Sequence, residues 1–362
     1  MTLRYISEYR DKTICQQIVE KIGTISHKKV RLMEVCGTHT MSISRNGIRD
    51  LLPKTIHLLS GPGCPVCVTS PTDIDTFIKV ARIREMIVGT FGDMLRVPGS
   101  ESSLEKERSN GADIRIVYSP LDCLEIAKNN PQREVVFLGI GFETTAPTVA
   151  ASLLLAQDSG VKNFSVIASN KLIPPALHGL LQNRKMKIDG FICPGHVSAI
   201  IGADTYLPLA KEYHIPCVVA GFEPLDIFQA IYMLTNQIEK GKADVEIAYR
   251  RGVTFEGNKR AKDVMYQVFD VCDVQWRGLG MIPQSGLKLK EEFQIFRAEE
   301  RFNLNVSEAH EPEGCSCGEI LCGIKAPNEC ILYRKKCTPS HPVGPCMVSS
   351  EGTCAAYYRY LE

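Results

Sequence analysis

The sequence predicts an α/β protein with two similar, doubly wound parallel sheets and a C-terminal cysteine-rich domain. Short apolar runs rich in β-branched residues recur along the first 225 residues, each followed by a turn and a helical stretch, as in buried parallel strands that alternate with helices. The element Gly-Phe-Glu occurs at 141–143 and again at 221–223, which indicates two related halves. Seven of the fifteen cysteines lie in the last 48 residues.

Eight apolar runs are the predicted strands. Helices are expected between them, for example over Thr148–Gln157 and Leu225–Glu239, where apolar residues recur at helical spacing. Eight strand–helix units also fit a single eight-stranded barrel, but the repeated element favours two smaller sheets. The runs are Val30–Val35, Thr55–Leu59, Met86–Gly89, Ile114–Tyr118, Val135–Ile140, Phe164–Ala168, Gly190–Ile192 and Cys217–Ala220.

The length of 362 residues and a change of character near residue 240 predict three domains. Lys240–Lys262 is polar and charged, Trp276–Gly280 is a turn-rich link, and Leu287–Arg301 has the pattern of an amphipathic helix. The boundaries are approximate, and the chain is free to cross back between the first two domains. The predicted domains are 1–130 (first α/β domain), 131–240 (second α/β domain) and 241–362 (linker helices and the cysteine-rich domain).

Composition excludes several classes of function. A net charge of +1 gives no positive electrostatic field that would attract nucleic acid. The sequence contains no run of 18 apolar residues, so no membrane span is predicted. No P-loop or G-x-G-x-x-G motif is present. The charged N-terminus does not resemble a signal peptide, so we expect a cytoplasmic protein, where structural disulfides are rare. Its cysteines should be metal ligands, catalytic thiols or core residues.

The C-terminal cysteines predict a metal centre, with iron–sulfur favoured over zinc. Soft thiolates at this density suit an iron–sulfur cluster, for which four are enough. Structural zinc sites usually show two close cysteine pairs, whereas this segment has one C-x-C followed by wide gaps. A segment without metal is the third alternative. The cysteines are Cys315, Cys317, Cys322, Cys330, Cys337, Cys346 and Cys354.

Two further cysteine motifs follow the first two predicted strands. Cys64 and Cys67 form a C-x-x-C, which is typical of a dithiol/disulfide pair or of half a metal site; the alternative is a buried turn. Cys36 and His39 place a thiol near an imidazole, which suits a metal ligand or a nucleophile with an acid or base beside it. A purely structural role is possible for this pair. A Cys–His hydrolase would lack a nucleophile elbow and would leave the C-terminal cysteines unexplained.

Polar side chains follow several of the other strands. Glu143, Thr144, Thr145 and Glu223 come just after apolar runs, and His196 follows the seventh run. These groups could orient a ligand or transfer a proton, or simply cap helices. Because open parallel sheets bind ligands beyond the carboxyl ends of their strands, we expect these loops to converge on one cleft.

Six motifs, in order along nearly the whole chain, resemble the HypD family of hydrogenase maturation proteins. The resemblance implies two α/β domains with similar parallel sheets and a third domain that holds a 4Fe–4S cluster, similar to the cluster region of ferredoxin–thioredoxin reductase. The motifs are M-E-V-C-G-T-H (33–39), G-P-G-C-P-V-C (61–67), T-F-G-D-M-L-R-V-P (90–98), G-F-E-T-T (141–145), P-G-H-V-S (194–198) and the C-terminal C-T-P…C-M-V-S-S-E-G-x-C.

The function implied by the resemblance is the assembly of the Fe(CN)₂CO unit of nickel–iron hydrogenases. Members of the family act as redox-active scaffolds rather than as conventional turnover enzymes, with Fe(II) carrying CN and CO as a transient cargo. The implied partners are a small HypC-type chaperone, a HypE-type cyanide donor with its carbamoyl partner and, indirectly, the hydrogenase large subunit. The alternative is a cluster-dependent thiol–disulfide reductase of the ferredoxin–thioredoxin reductase type.

The resemblance also implies roles for individual residues. Cys36 matches the iron-binding cysteine, with His39 beside it in the same motif, and Cys64 and Cys67 match a redox-active pair that exchanges electrons with the cluster. The residues that match the cleft motifs are Glu143, Thr144, Thr145 and His196.

Cluster ligands are expected among the C-terminal cysteines. Cys330, Cys337 and Cys354 are favoured, together with one cysteine of the C-x-C pair, Cys315 or Cys317. Cys346 is the main alternative, and Cys322 ranks last.

Overall fold

The structure, a computed structural model, describes residues 7–183 and 186–361 and confirms the α/β class. All eight predicted strands are present, and three more follow them. The strands are β1 (Val30–Glu34), β2 (Ile56–Ser60), β3 (Ile87–Thr90), β4 (Asp113–Ile116), β5 (Val135–Gly141), β6 (Phe164–Asn170), β7 (Gly190–Pro194), β8 (Cys217–Ala220), β9 (Val245–Ile247), β10 (Phe269–Trp276) and β11 (Gly280–Leu289).

Helices follow most strands, and many begin with proline in the first turn, where its fixed φ fits. The predicted helices at Thr148–Gln157 and Leu225–Glu239 are confirmed. The α-helices are α1 (Lys12–Ile25), α2 (Gly37–Arg45), α3 (Ile48–Leu51), α4 (Pro65–Val68), α5 (Pro71–Ala81), α6 (Leu104–Ser109), α7 (Pro120–Asn129), α8 (Ala146–Asp158), α9 (Ile173–Gln182), α10 (Gly195–Ile201), α11 (Leu207–Tyr213), α12 (Pro224–Glu239), α13 (Lys259–Val268), α14 (Ala298–Arg301), α15 (Cys317–Leu321), α16 (Pro345–Val348) and α17 (Thr353–Tyr360). Short 3₁₀-helices cover Ser7–Arg10, Gly92–Arg96, Asp204–Tyr206, Glu291–Phe296 and Pro327–Glu329.

Two parallel sheets form the body of the protein. The first has the strand order β2-β1-β7-β8-β9 and the second has the order β4-β3-β5-β6. Within the first sheet, Glu34 is paired with Ser60 and Leu32 with Gly190. The carboxyl ends of β1 and β2 therefore lie side by side, which brings the loops after residues 34 and 60 together.

The two sheets do not follow the contiguous ranges 1–130 and 131–240. The second sheet takes all its strands from residues 87–170, and the chain then crosses back so that β7 pairs with β1. A boundary at residue 130 would cut the second sheet between β4 and β5. Strands of both sheets have the same apolar pattern, so the pattern predicts strands without indicating their partners. One Gly-Phe-Glu element begins at the last residue of β5 in the second sheet, and the other directly follows β8 in the first sheet.

The helix predicted at Leu287–Arg301 is wrong. Residues up to Leu289 belong to β11, which pairs with β10 in an antiparallel hairpin, and a 3₁₀-helix and the short α14 follow. Leu287 and Leu289 are both buried at alternate positions of the strand, whereas Phe293 and Phe296 are buried further on. Together, the buried positions 287, 289, 293 and 296 resemble the spacing of apolar residues on one face of a helix. The turn-rich link predicted at Trp276–Gly280 is the turn of this hairpin.

One apolar core extends from both sheets into the C-terminal segment. It contains Met33 of the first sheet, Val88 of the second and Cys346 of the cysteine-rich segment. The C-terminal segment is thus packed against the body of the protein. Among the described residues, no helix combines the length and apolar character that crossing a bilayer requires.

Candidate functional site

Cys36 lies at the end of β1, as the residue that precedes the first turn of α2. Its thiol is buried, and the backbone N–H groups of His39 and Thr38 offset part of the effect of burial on its pKa. Burial, and then the carboxylate of Glu351, raise the pKa of the Cys36 thiol to about 12. The free thiol is therefore protonated at neutral pH, and a metal ion would be needed to hold it as thiolate.

The loop of the C-x-x-C motif is fastened directly to the Cys36 loop. Gly37 N donates to Gly63 O at 3.0 Å, and Gly61 N donates to Glu34 O at 2.8 Å. A Cβ atom on Gly63 would overlap the backbone of Cys36. Glycine is required at position 63 because two backbones touch there, and this contact places both cysteine motifs at one point of the first sheet.

Cys64 and Cys67 are joined in a disulfide whose Cα atoms lie 5.2 Å apart. Cys64 precedes the first turn of α4, and Cys67 N donates to Cys64 Sγ at 3.2 Å. The two residues are only 3% and 0% exposed. The two sulfurs are thus paired and shielded from bulk solvent.

His39 and His196 are linked through one aromatic ring. His39 is fully buried and donates Nε2–H to Gly221 O at 2.9 Å, whereas its Nδ1 has no hydrogen-bond partner. Phe222 stacks on His39 at 5.1 Å and on the exposed His196 at 3.9 Å. Burial lowers the pKa of His39 to about 4. His39 is therefore neutral, with a free lone pair on Nδ1.

The polar side chains of the Gly-Phe-Glu-Thr-Thr loop point to different places. Glu143 turns inward, where Oε1 accepts Ile173 N at 2.9 Å at the start of α9 and Oε2 has no partner. Burial raises the pKa of Glu143 to about 7. Thr145 accepts Asn170 Nδ2 at 3.1 Å, and Thr144 faces two cavities. The structure thus places Thr144 and Thr145 at the cleft and directs Glu143 at a helix terminus.

Loops that follow strands of both sheets line a cleft of about 580 Å³. Its walls come from both sheets and from the C-terminal segment, including Val66 beside the disulfide, Thr144 and Glu351. A smaller cavity of about 320 Å³ is lined by Thr144 and His196. Thr144 and Thr145 therefore line the larger cleft and His196 lines the smaller cavity, whereas Glu143 and Glu223 line neither.

Asp93, which lines the cleft, is hydrogen-bonded to the C-terminal segment. Its Oδ2 accepts Ser349 Oγ at 3.0 Å, Ser350 N at 3.0 Å and Ser350 Oγ at 3.1 Å. The next residue, Glu351, accepts Thr38 Oγ1 at 2.5 Å, two residues from Cys36. The C-terminal segment thereby reaches the Cys36 loop.

Six C-terminal cysteines line one small cavity. Burial raises the pKa of Cys315 to about 12 and also raises that of Cys337. Cys322 is not part of the lining; its Sγ lies 3.8 Å from Gly278 O. The lining cysteines are Cys315, Cys317, Cys330, Cys337, Cys346 and Cys354.

Two of these six cysteines touch each other. The Sγ atoms of Cys317 and Cys346 are 2.7 Å apart, and this contact lowers the pKa of Cys317 and raises that of Cys346. Cys346 lies on α16, which packs against α4, the helix that contains Cys67. The cysteine cavity therefore lies next to the helix of the disulfide.

The arrangement of ligands differs from that of a single-ion site. Over residues 7–183 and 186–361, no group of three or more His, Cys, Asp or Glu side chains is placed to hold one metal ion. The sulfurs instead line one cavity, and several soft sulfur donors around one space suit a cluster.

Sequence reasoning missed several residues of the site. Glu34 is fully buried and accepts Cys36 N at 3.2 Å and Thr40 Oγ1 at 2.5 Å, and burial raises its pKa to about 7. An acid at the end of an apolar strand was the available signal. Phe222 and Glu351 belong to motifs that were noticed, but local sequence does not show that they meet His39 and Thr38.

The fold and these cysteines define a two-sheet α/β protein with thiol groups gathered at its strand ends. The model of the HypD family, described as "Hydrogenase formation hypA family", matches residues 13–361. The chain is 46% identical to the hydrogenase maturation factor HypD of Azotobacter vinelandii over 367 residues, which cover 99% of this chain and 97% of that protein. It is 44% identical to HypD of Cupriavidus necator, with coverage of 99% and 97%.

An archaeal relative is similar to the same extent. The chain is 43% identical to a putative hydrogenase expression/formation protein of Methanocaldococcus jannaschii, over 97% of this chain and 98% of that protein. The chain therefore belongs to the HypD family of hydrogenase maturation factors, which confirms the resemblance of its motifs.

Proposed function

We propose that this maturation factor is a scaffold on which iron receives its CN and CO ligands, with Cys36 as the protein ligand. The observation that carries the proposal is a continuous series of contacts between three thiol sites. Gly63 joins the Cys36 loop to the disulfide loop, and α16 joins the disulfide helix to the cysteine cavity. A thiol that binds iron thus lies next to a thiol pair able to exchange electrons.

The surroundings of Cys36 suit an iron cargo. Thiolate is a soft ligand, and the nearby N–H groups of Thr38 and His39 favour the thiolate form of Cys36. His39 adds a neutral imidazole with a free Nδ1, which can accept a proton from an incoming ligand. CN and CO require low-spin Fe(II), so a site next to a source of electrons would keep the iron reduced.

A 4Fe–4S cluster fits the cysteine cavity by the chemistry of its donors. Since Cys317 and Cys346 contact each other, we assign the four ligands to the remaining cysteines of the lining. A cluster bound there would supply electrons one at a time. The proposed ligands are Cys315, Cys330, Cys337 and Cys354.

Cys317 and Cys346 connect this cavity to the disulfide. In the dithiol form, they can reduce the Cys64–Cys67 bond by thiol–disulfide exchange. The S–S bond between Cys64 and Cys67 breaks, one forms between Cys317 and Cys346, and the two protons pass to the new thiols. The packing of α16 on α4 supports this order of transfer.

The cleft is the proposed docking place for the partners. A HypC-type chaperone would bring a second thiol to the iron at Cys36, and a HypE-type protein would deliver cyanide there. The cleft of about 580 Å³ is lined by loops of both sheets and by Glu351, which hydrogen-bonds the Cys36 loop at Thr38. A cluster-dependent reductase of protein disulfides is less well supported, because Cys64 and Cys67 are 3% and 0% exposed.

The test is infrared and Mössbauer spectroscopy of protein purified without oxygen together with its small partner. The parent should show CN and CO bands and an iron in addition to those of the cluster. Cys36→Ala should lose these bands and this iron and keep the cluster. Cys123→Ala is the control, because Cys123 is also a fully buried free thiol but lies in a separate core. CN and CO bands that persist in Cys36→Ala would refute the assignment.

A further inference from the structure

Arg277 is a buried arginine at the end of the helix that carries the disulfide. Its side chain is 1% exposed. Its backbone N donates to Val68 O at 2.9 Å, and its Nε donates to Thr69 O at 2.9 Å. Both acceptors lie within two residues of Cys67, so Arg277 fixes the carboxyl end of α4.

The turn that holds Arg277 also touches the cysteine-rich segment. A Cβ atom on Gly278 would overlap the backbone of Gly318 in α15, and Gly278 has a φ of +75° that suits glycine. Cys322 Sγ lies 3.8 Å from Gly278 O. Arg277 is therefore placed between α4, which holds Cys67, and α15, which begins with Cys317.

The charge of Arg277 is only partly compensated. Its Nη1 donates to Glu311 Oε2 at 2.8 Å, and that carboxylate is 37% exposed. Its Nη2 is buried without a hydrogen-bond partner. A buried cation with an unused donor is costly, and negative charge that arrives nearby reduces the cost.

We propose that Arg277 is a positioning residue that raises the reduction potential of the Cys64–Cys67 disulfide. The inference rests on the redox role of this disulfide under the proposed function. Reduction by a dithiol breaks the Cys64–Cys67 bond and forms a disulfide in the reductant, whose two protons pass to the protein sulfurs or, where one of these stays as thiolate, to solvent. Any thiolate among the products carries negative charge, which the guanidinium stabilises. Cys64 is suited to hold that charge because it already accepts Cys67 N.

The test is the equilibrium between the disulfide and dithiothreitol buffers, followed by alkylation and mass spectrometry of the peptide that contains Cys64 and Cys67. Arg277→Met should lower the equilibrium constant for reduction about tenfold, which corresponds to about 30 mV. Arg133→Met is the control for the loss of a backbone-anchoring cation, because the Arg133 side chain donates to the carbonyls of Glu85 and Met86 and to Asp113, none of which lies in α4 or α15.

Glu311→Gln, at a partly exposed side chain, should change the equilibrium constant for reduction in the opposite direction to Arg277→Met. Loss of its carboxylate leaves the cation less compensated, so the equilibrium constant for reduction should rise about threefold. If Arg277→Met does not fold, Glu311→Gln decides the question. Its far-UV circular dichroism and melting temperature should equal those of the parent, so a rise in its equilibrium constant cannot be caused by loss of structure.

The outcomes separate this inference from the function on which it rests. A parent disulfide that no dithiol buffer reduces would refute both the inference and the redox part of the proposed function. A reducible parent disulfide whose equilibrium constant is unchanged in Glu311→Gln, or is equally lowered in Arg277→Met and Arg133→Met, would refute the role of Arg277 alone.

Discussion

Gly63 lies against Cys36 so closely that a Cβ atom on residue 63 would overlap the amide nitrogen and Cα of Cys36. The two residues are far apart in sequence, at the ends of neighbouring parallel strands. Their contact leaves no room for a side chain between the proposed iron ligand and the disulfide loop. It is a direct backbone link between the two thiol sites.

Gly63→Ala should separate these sites. Because neither backbone can yield without shifting its loop, we expect the free energy of unfolding to fall by about 1–3 kcal/mol. Hydrogenase maturation in cells that depend on the variant should be lost. Urea denaturation and hydrogenase activity measure the two effects. Gly23→Ala is the control, since Gly23 lies in α1 with nothing near its missing Cβ; wild-type activity in Gly63→Ala would contradict the prediction.

Asp93→Ala should release the segment around Ser349 and Ser350. Three hydrogen bonds to one carboxylate oxygen hold this segment, and we expect their loss to cost about 2 kcal/mol. Hydrogen exchange of the peptide that spans residues 345–356 should become faster. Asp75→Ala is the control, because Asp75 accepts Ser100 N at 2.8 Å and Ser100 Oγ at 2.5 Å on another surface. Equal exchange in both variants would refute this function of Asp93.

His39 should make the protein less stable in acid. Its pKa is lowered to about 4 by burial, below the 6.5 expected for an unfolded chain. The unfolded chain therefore binds a proton first, and stability is lost as the pH falls from 6.5 towards 4. In His39→Gln, the loss between pH 7 and pH 5 should be smaller by about 2 kcal/mol. Urea titrations at both pH values measure it, with the exposed His310→Gln as control; a loss equal to that of the parent would exclude the buried neutral imidazole.

Cys330→Ala and Cys322→Ala should differ in their iron content. Cys330 lines the cysteine cavity, whereas Cys322 does not. Both are buried, at 9% and 4% exposure, so each is a control for the packing effect of the other. After reconstitution without oxygen, Cys322→Ala should retain its iron, sulfide and visible absorption, and Cys330→Ala should lose most of all three. A loss in Cys322→Ala alone would show that the ligand set is misassigned.

The predictions from sequence succeeded where the pattern is local. Runs such as Val135–Ile140 are strands because β-branched residues fit a buried sheet, and the helix at Leu225–Glu239 follows from its apolar spacing. The pattern failed at Leu287–Arg301, where alternate burial in β11 was combined with two later buried phenylalanines. Pairing with β10 decided the outcome there, and that pairing is not encoded in the residues of β11 alone.

Local chemistry was enough to select the cysteines, His39 and the strand-end loops as candidates for the site, because thiols, imidazoles and glycines have few other roles at such turns. The choice of partners needed the folded chain. The crossing back at β7 assembles the first sheet from distant segments, which brings Phe222 between His39 and His196. The β10–β11 hairpin in turn places Arg277 beside the disulfide helix. These contacts join residues far apart in sequence, and packing of the sheets and the C-terminal segment, rather than any local preference, sets their distances.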